Sequence, residues 1–293
     1  GFRLRKFLNV CRKTAVRGPR PDGSMRPMIN SLTLSLSAVV AILPAAVLPF
    51  RRGPARDFVF WMLLAVAVAG PAVWIFVTFD AGWRTGFAAA LWITIVASLV
   101  LFGLLSALLR DVWRLAPLLL PYMVLLGVFA TIWLHEPTAS SPGSAPSLWV
   151  QFHIVVSVMT YGMLTIGATA GLAVMLQERA LKLKRPGKLT HTLPSVADGE
   201  RIQVWLLSAG AAILGCGLLS GMAAQYIETG QLIEFSHKVA LSVLTFVTIV
   251  VLLAVHIRTG IRGRRAARYI LVAYLLITLA YPGVKFVTDV LLT

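Results

Sequence analysis

Three histidines stand where an apolar segment of this chain begins or ends. His153 opens one such run, and Ser157 and Tyr161 follow at intervals of four, a spacing that puts all three along one helical face. His237 and Lys238 open a second run, and His256 closes it. The interval from His237 to His256 amounts to about 28 Å at about 1.5 Å per residue, so a helix there places the two rings at opposite membrane faces. Neutral imidazole ligates metals and haem iron. His153, His237 and His256 are therefore candidate ligands, with Ser157, Tyr161 and Lys238 as secondary candidates for holding a bound group. For each histidine the competing reading is a hydrogen-bonded anchor at the membrane interface. His135 and His191 fall in loops and rank below them.

These residues are embedded in a chain that reads as a polytopic membrane protein. Hydrophobic residues make up 58% of it, charged residues 13%, and the mean hydropathy is +0.83. Eight apolar stretches of roughly 20 residues are each long enough to cross a bilayer as a helix. They lie at about 32–50, 58–78, 86–109, 115–134, 148–177, 203–224, 235–256 and 268–291. Hydrocarbon offers backbone groups no partner, so unbroken apolar runs of this length form helices, and the expected fold class is all-α. The short alternating segments of a β-barrel do not occur.

Several chemistries are excluded. Cys11 and Cys216 supply no C-x-x-C or C-x-x-C-H, which removes dithiol exchange and c-type haem attachment. There is no Walker loop, dinucleotide fingerprint or H-E-x-x-H, and no catalytic residue is expected. Few ionisable residues lie at mid-membrane depth, which disfavours a transporter. In spans one to four, Pro71 and Pro121 can kink helices, while Trp61, Trp74, Trp92 and Trp133 suit interfacial belts or packing. Gly162, Gly167, Gly171 and the Gly217-to-Gly221 segment with Ser220 read mainly as sites of close helix approach.

The net charge of +16 is a topology signal, with no sign of nucleic-acid binding. Arg51, Arg52, Arg56, Arg110, Arg114, Arg179, Lys182, Lys184, Arg185, Lys188, Arg201, Arg258, Arg262, Arg264, Arg265 and Arg268 fall in alternate connections. The other connections of the helical body hold only Arg84, Lys238 and Lys285. Because cytoplasmic loops accumulate Lys and Arg, the basic connections are expected in the cytoplasm. Both ends of the helical body, His153 and His237 are then extracytoplasmic, and His256 is at the cytoplasmic end.

The basic segment 1–28 conflicts with that orientation. The chain starts with Gly, and Met25 and Met28 precede the first span, so residues 1–24 are expected to be an upstream extension with one of these methionines as the natural start. An amphipathic anchor built on Phe2, Leu4, Phe7, Leu8 and Val10 is the alternative. Residues 29–293 form the membrane domain.

Taken in order, His153-x3-Ser157-x3-Tyr161, Gln177-Glu178-Arg179, Leu193-Pro194, Ser220-Gly221, His237-Lys238, His256, Gly260-x-Arg262-Gly263-Arg264-Arg265 and Ala280-Tyr281-Pro282-Gly283 resemble the cytochrome c assembly family of haem-handling membrane proteins, CcsA and CcmC types included. The likeness is nearest to its HemX/YpjD-type inner-membrane branch and is carried mainly by residues 148–293. It implies a bacterial inner-membrane protein that handles non-covalent, b-type haem as a non-enzymatic assembly factor, with the bilayer, haem and other cytochrome c assembly components as partners. It also implies that His153 matches the family's first outer histidine and His256 a histidine within the membrane, with His153 and His237 as the candidate iron ligands. The chain departs from the pattern in three places. The 223–236 connection has no tryptophan, Phe235-Ser236-His237-Lys238 stands where the family has Trp-Asp-Pro-Lys, and no further histidine follows His256. Haem ligation activity is accordingly not expected. The alternative is a HemX-like regulatory or interaction protein of tetrapyrrole metabolism.

Overall fold

In a computed structural model, the structure describes residues 22–52, 55–80, 84–134, 139–140, 148–230, 237–259, 264–279 and 283. At 22–30, 237–238, 264–266 and a few other positions only the backbone is described. Residues 1–21, most of the proposed extension, lie outside this set. The helices are α1 (Asp22–Arg52), α2 (Phe58–Asp80), α3 (Phe87–Leu108), α4 (Ala116–Ile132), α5 (Leu148–Lys182), α6 (Lys188–Thr192), α7 (Val196–Thr229), α8 (His237–Thr259) and α9 (Arg264–Thr278). A single 3-10 turn, Val112–Leu115, leads into α4.

Seven of the described helices are long and apolar enough to cross a membrane, and α9 contributes a shorter apolar helix, Ala267–Thr278. The protein is an all-α polytopic membrane protein, as its long apolar runs predict. The ends differ from the sequence reading where polar flanks continue the backbone ladder past the apolar run. Thus α5 extends to Lys182, and α7 begins at Val196, where the Ser195 hydroxyl accepts from the Asp198 N–H at 3.2 Å. The same helix stops at Gly230, whose φ of 71° lies in the left-handed region that favours glycine. The expected basic loop at 178–202 is therefore largely helical, with α6 in its middle.

The helices close into two four-membered rings. In the first, α1 packs on α2, α2 on α3, α3 on α4, and α4 back on α1; in the second, α5, α7, α8 and α9 do the same in chain order. The main join between the rings is α3 against α5, with α4 also touching α5. Small residues permit close approaches, of which the sequence suggested those at Gly162 and Gly171. A Cβ on Gly70 would lie 2.5 Å from the Ala41 side chain, one on Gly162 would lie 3.5 Å from the Ser98 backbone, and Gly171 faces the Ala267 backbone. The main core runs from Ala38 and Ile42 through Trp92, Leu99 and Phe102 to Ile166 and Leu206; a smaller one lies inside the second ring around Leu164, Leu207, Ile249 and Ile270.

The alternate connections gather at opposite ends. At one end, Arg84–Thr85 pairs antiparallel with Ala139–Ser140. At the basic end, Arg56 donates to the Ala107 carbonyl at 3.2 Å, and Arg114 reaches the His191 and Thr192 carbonyls at 3.4 Å. Gln177 Nε2 donates to the carbonyls of Thr190, Leu193 and Pro194, which folds the segment around α6 back onto α5.

Candidate functional site

The first turns of α5 meet the last turns of α7 at the end opposite the basic connections. Two polar side chains of α5 engage one residue of α7. The Trp149 indole N–H donates to the Ser220 backbone carbonyl at 2.9 Å, and His153 Nδ1 lies 3.1 Å from the Ser220 hydroxyl. Ser220 is buried, and its hydroxyl donates to the Gly217 carbonyl at 2.9 Å, one turn back on α7. The next residue must be small: a Cβ on Gly221 would stand 2.9 Å from His153 Cε1. His153 itself is half-buried, and among the described residues its Nε2 has no hydrogen-bond partner. One nitrogen held by the protein and the other left open is the arrangement of an iron-ligating imidazole. The donor set at His153 thus fits haem.

His237 and Lys238 begin α8 at the same end as His153, and their side chains lie outside the described residues. Within the second ring α5 and α8 occupy opposite corners, each packed on both α7 and α9. His256 is in the last turn of α8, at the far end, and is half-buried. Ser157 is exposed, while Tyr161 is buried two turns along α5. The three-residue face read from the sequence therefore divides among three environments.

Tyr161 belongs to a separate cluster of hydroxyls. Tyr122 of α4 and Tyr274 of α9 are 2.6 Å apart at their oxygens, Tyr161 is 3.2 Å from Tyr274, and Thr278 is 3.4 Å from Tyr161. The Thr165 and Thr278 hydroxyls each donate to a carbonyl four residues back at 2.8 Å. With both threonine protons committed, every phenol proton finds an acceptor when donation runs from Tyr122 to Tyr274 to Tyr161 to Thr278. The cluster ties α4 of the first ring to α5 and α9 of the second.

Sequence reasoning assigned Ser220-Gly221 to packing and gave no role to Tyr122 or Tyr274. The serine-glycine pair carries a weak signal, since both types are common in packed membrane helices. Nothing in the linear order brings Tyr122 to Tyr274. Among the described residues no three His, Cys, Asp or Glu side chains come together, so a metal ion held by side chains alone has no ligand set there.

The fold and site define a polytopic helical membrane protein with a histidine held against a buried serine near one end of its helices. Residues 59–292 match the Cytochrome C assembly protein family, and the chain belongs to it. Over 270 residues it is 52% identical to the "Uncharacterized 28.8 kDa protein in nifR3-like 5'region" of Azospirillum brasilense, covering 90% of this chain and 100% of that one. It is 26% identical over 179 residues to the Inner membrane protein YpjD of Escherichia coli strain K12, covering 61% of this chain and 66% of that protein. No solved structure gives a significant match. Family membership assigns the protein a role in cytochrome c maturation.

Proposed function

We propose that the protein is a non-enzymatic haem-handling factor of the bacterial inner membrane, with His153 as an iron ligand on the extracytoplasmic side. The observation that carries this reading is the His153 ring itself, held through Nδ1 by Ser220 while Nε2 stays open, in a family of cytochrome c assembly proteins. The bound haem, b-type and non-covalent, would supply an iron centre for later transfer to an apocytochrome. Trp149 locks the start of α5 onto α7, and the Ser220-Gly221 corner sets the height and plane of the ring. His237 is the second ligand in this proposal, because it starts the helix diagonal to α5 at the same end. Partners are haem, the lipid bilayer and other components of cytochrome c assembly.

The test is an absorption spectrum of detergent-purified protein before and after haem addition. A Soret band that His153→Ala weakens and shifts, with membrane expression intact, is the expected result. Its absence after haem loading rejects the site. Reporter fusions after Ser144 and Gly230 are expected on the extracytoplasmic side, and those after Gly187 and Gly263 in the cytoplasm; the reverse would move His153 to the wrong side for delivery.

A second reading has one observation in its favour. The connection between α5 and α7 is folded and anchored by Gln177, while Arg179, Lys182, Lys184, Arg185 and Lys188 remain exposed on it. Such a surface suits an acidic cytoplasmic partner, as a regulatory protein of tetrapyrrole metabolism would need. Replacing Lys182, Lys184 and Arg185 with Gln distinguishes the two: the haem-handling reading expects an unchanged spectrum and unchanged cytochrome c yield.

A further inference from the structure

In a neutral imidazole one nitrogen carries the proton and the other the lone pair, and the hydrogen bond made by one decides the role of the other. At His153 that decision falls to Ser220. A serine hydroxyl has a single proton, and here it lies against the Gly217 carbonyl at 2.9 Å, a back-bond that helical serines make readily. Ser220 Oγ therefore meets the ring with a lone pair. With the proton on the Gly217 carbonyl, Nδ1, at 3.1 Å, is the N–H donor; a serine proton turned onto Nδ1 would give the opposite tautomer.

We propose that Ser220 is the positioning residue of His153, fixing the Nδ1–H tautomer so that Nε2 is presented as a lone-pair donor to the iron of a bound tetrapyrrole. Gly221 completes the device by leaving out the Cβ that would strike Cε1. The identity of the ligand rests on the haem-handling proposal, whereas the tautomer exists in the haem-free protein. Trp149 bonds the Ser220 backbone carbonyl, so that link between α5 and α7 survives replacement of the serine side chain.

The experiment uses full-length protein labelled with 15N-histidine in detergent micelles at about pH 8, above the ordinary histidine range. Long-range proton–nitrogen correlation reads the tautomer, with His153→Ala giving the assignment, and haem titration follows on the same samples. Haem-free wild type is expected to show His153 with a protonated Nδ1 and a bare Nε2. Ser220→Ala is expected to mix the tautomers and weaken haem binding by about tenfold to a hundredfold, the usual cost of losing a residue that orients a ligating histidine. Ser220→Thr, which keeps the hydroxyl, is expected to restore both. Gly221→Ala is expected to displace the ring and alter its signals with Ser220 intact, which keeps the test decisive should Ser220→Ala fold poorly. A wild-type ring protonated on Nε2, or a tautomer unchanged by Ser220→Ala, overturns the inference. A tautomer that depends on Ser220 in a protein with no Soret band after haem loading upholds the positioning role and rejects the haem reading.

Discussion

The two rings share a cyclic helix order and differ in what they bury. In the first, the interior is mainly apolar and aromatic, with one buried hydroxyl pair, Ser35 and Thr131 at 3.0 Å, between α1 and α4: Trp92, Ile95, Leu99 and Phe102 are fully buried, and the Trp74 and Trp92 rings lie 5.5 Å apart with indole N–H groups that have no partner among the described residues. The second buries hydroxyls that are bonded to one another and holds a histidine against a buried serine. Lipid is as apolar as leucine, so helices in a membrane gain little from hiding apolar surface from it. They associate through close packing and hydrogen bonds instead. The first ring relies mainly on packing and is a scaffold, whereas the second adds a larger set of oriented polar contacts, the kind that can also orient a ligand.

The comparison breaks most easily in the first ring. Trp92→Ala removes a fully buried side chain that packs against Gly127, and a loss of about 3–5 kcal/mol is expected. Thermal unfolding in detergent would measure it, and a loss no larger than that of a surface variant would deny the first ring its scaffold role. In the second ring the largest expected effect is functional. His153→Ala should abolish most haem retention with little change in melting temperature, and His256→Ala, at the other end of the membrane, should leave the site near His153 unaltered. An equal spectral change in the two variants would refute the separation of the two ends.

Smaller effects sharpen the contrast. Tyr274→Phe removes the centre of the hydroxyl chain and is expected to cost about 0.6–2 kcal/mol, the range for a hydrogen bond between membrane helices. The loss should be greater than for Tyr122→Phe, because the Tyr274 hydroxyl meets those of Tyr122, Tyr161 and Thr165, whereas the Tyr122 hydroxyl meets that of Tyr274. Equal melting temperatures for the two would argue against Tyr274 as the centre of the cluster. Ser157→Ala, at an exposed position, is expected to change stability by less than about 0.5 kcal/mol and to leave any haem spectrum untouched.

The fold was largely legible because each span advertises itself: a run of apolar residues long enough for the bilayer has no alternative to a helix. The least legible segment was 178–202. Its charges fit a loop, yet the Gln177 amide and the Ser195 cap organise it into the end of α5, α6 and the start of α7. Trp74 and Trp92 were equally ambiguous, since a tryptophan suits an interfacial belt as well as a packed interior, and both are buried.

The candidate site was legible only in part. His153 stood out by residue type and by its place at the head of a span, and both properties are local. The equal spacing to Ser157 and Tyr161 suggested a shared environment, but the angular drift between turns and the placement of neighbouring helices separate them. Sequence determined that this chain is a multi-span helical protein, which of its connections share an end, and which histidine heads α5, because those features depend on length, hydropathy and charge along the chain. Only the tertiary structure decided that Ser220 meets His153 and that Tyr122 meets Tyr274. These residues are 67 and 152 positions apart, and which helices become neighbours is set by how small residues and ridges pack in three dimensions, which leaves no period in the linear order.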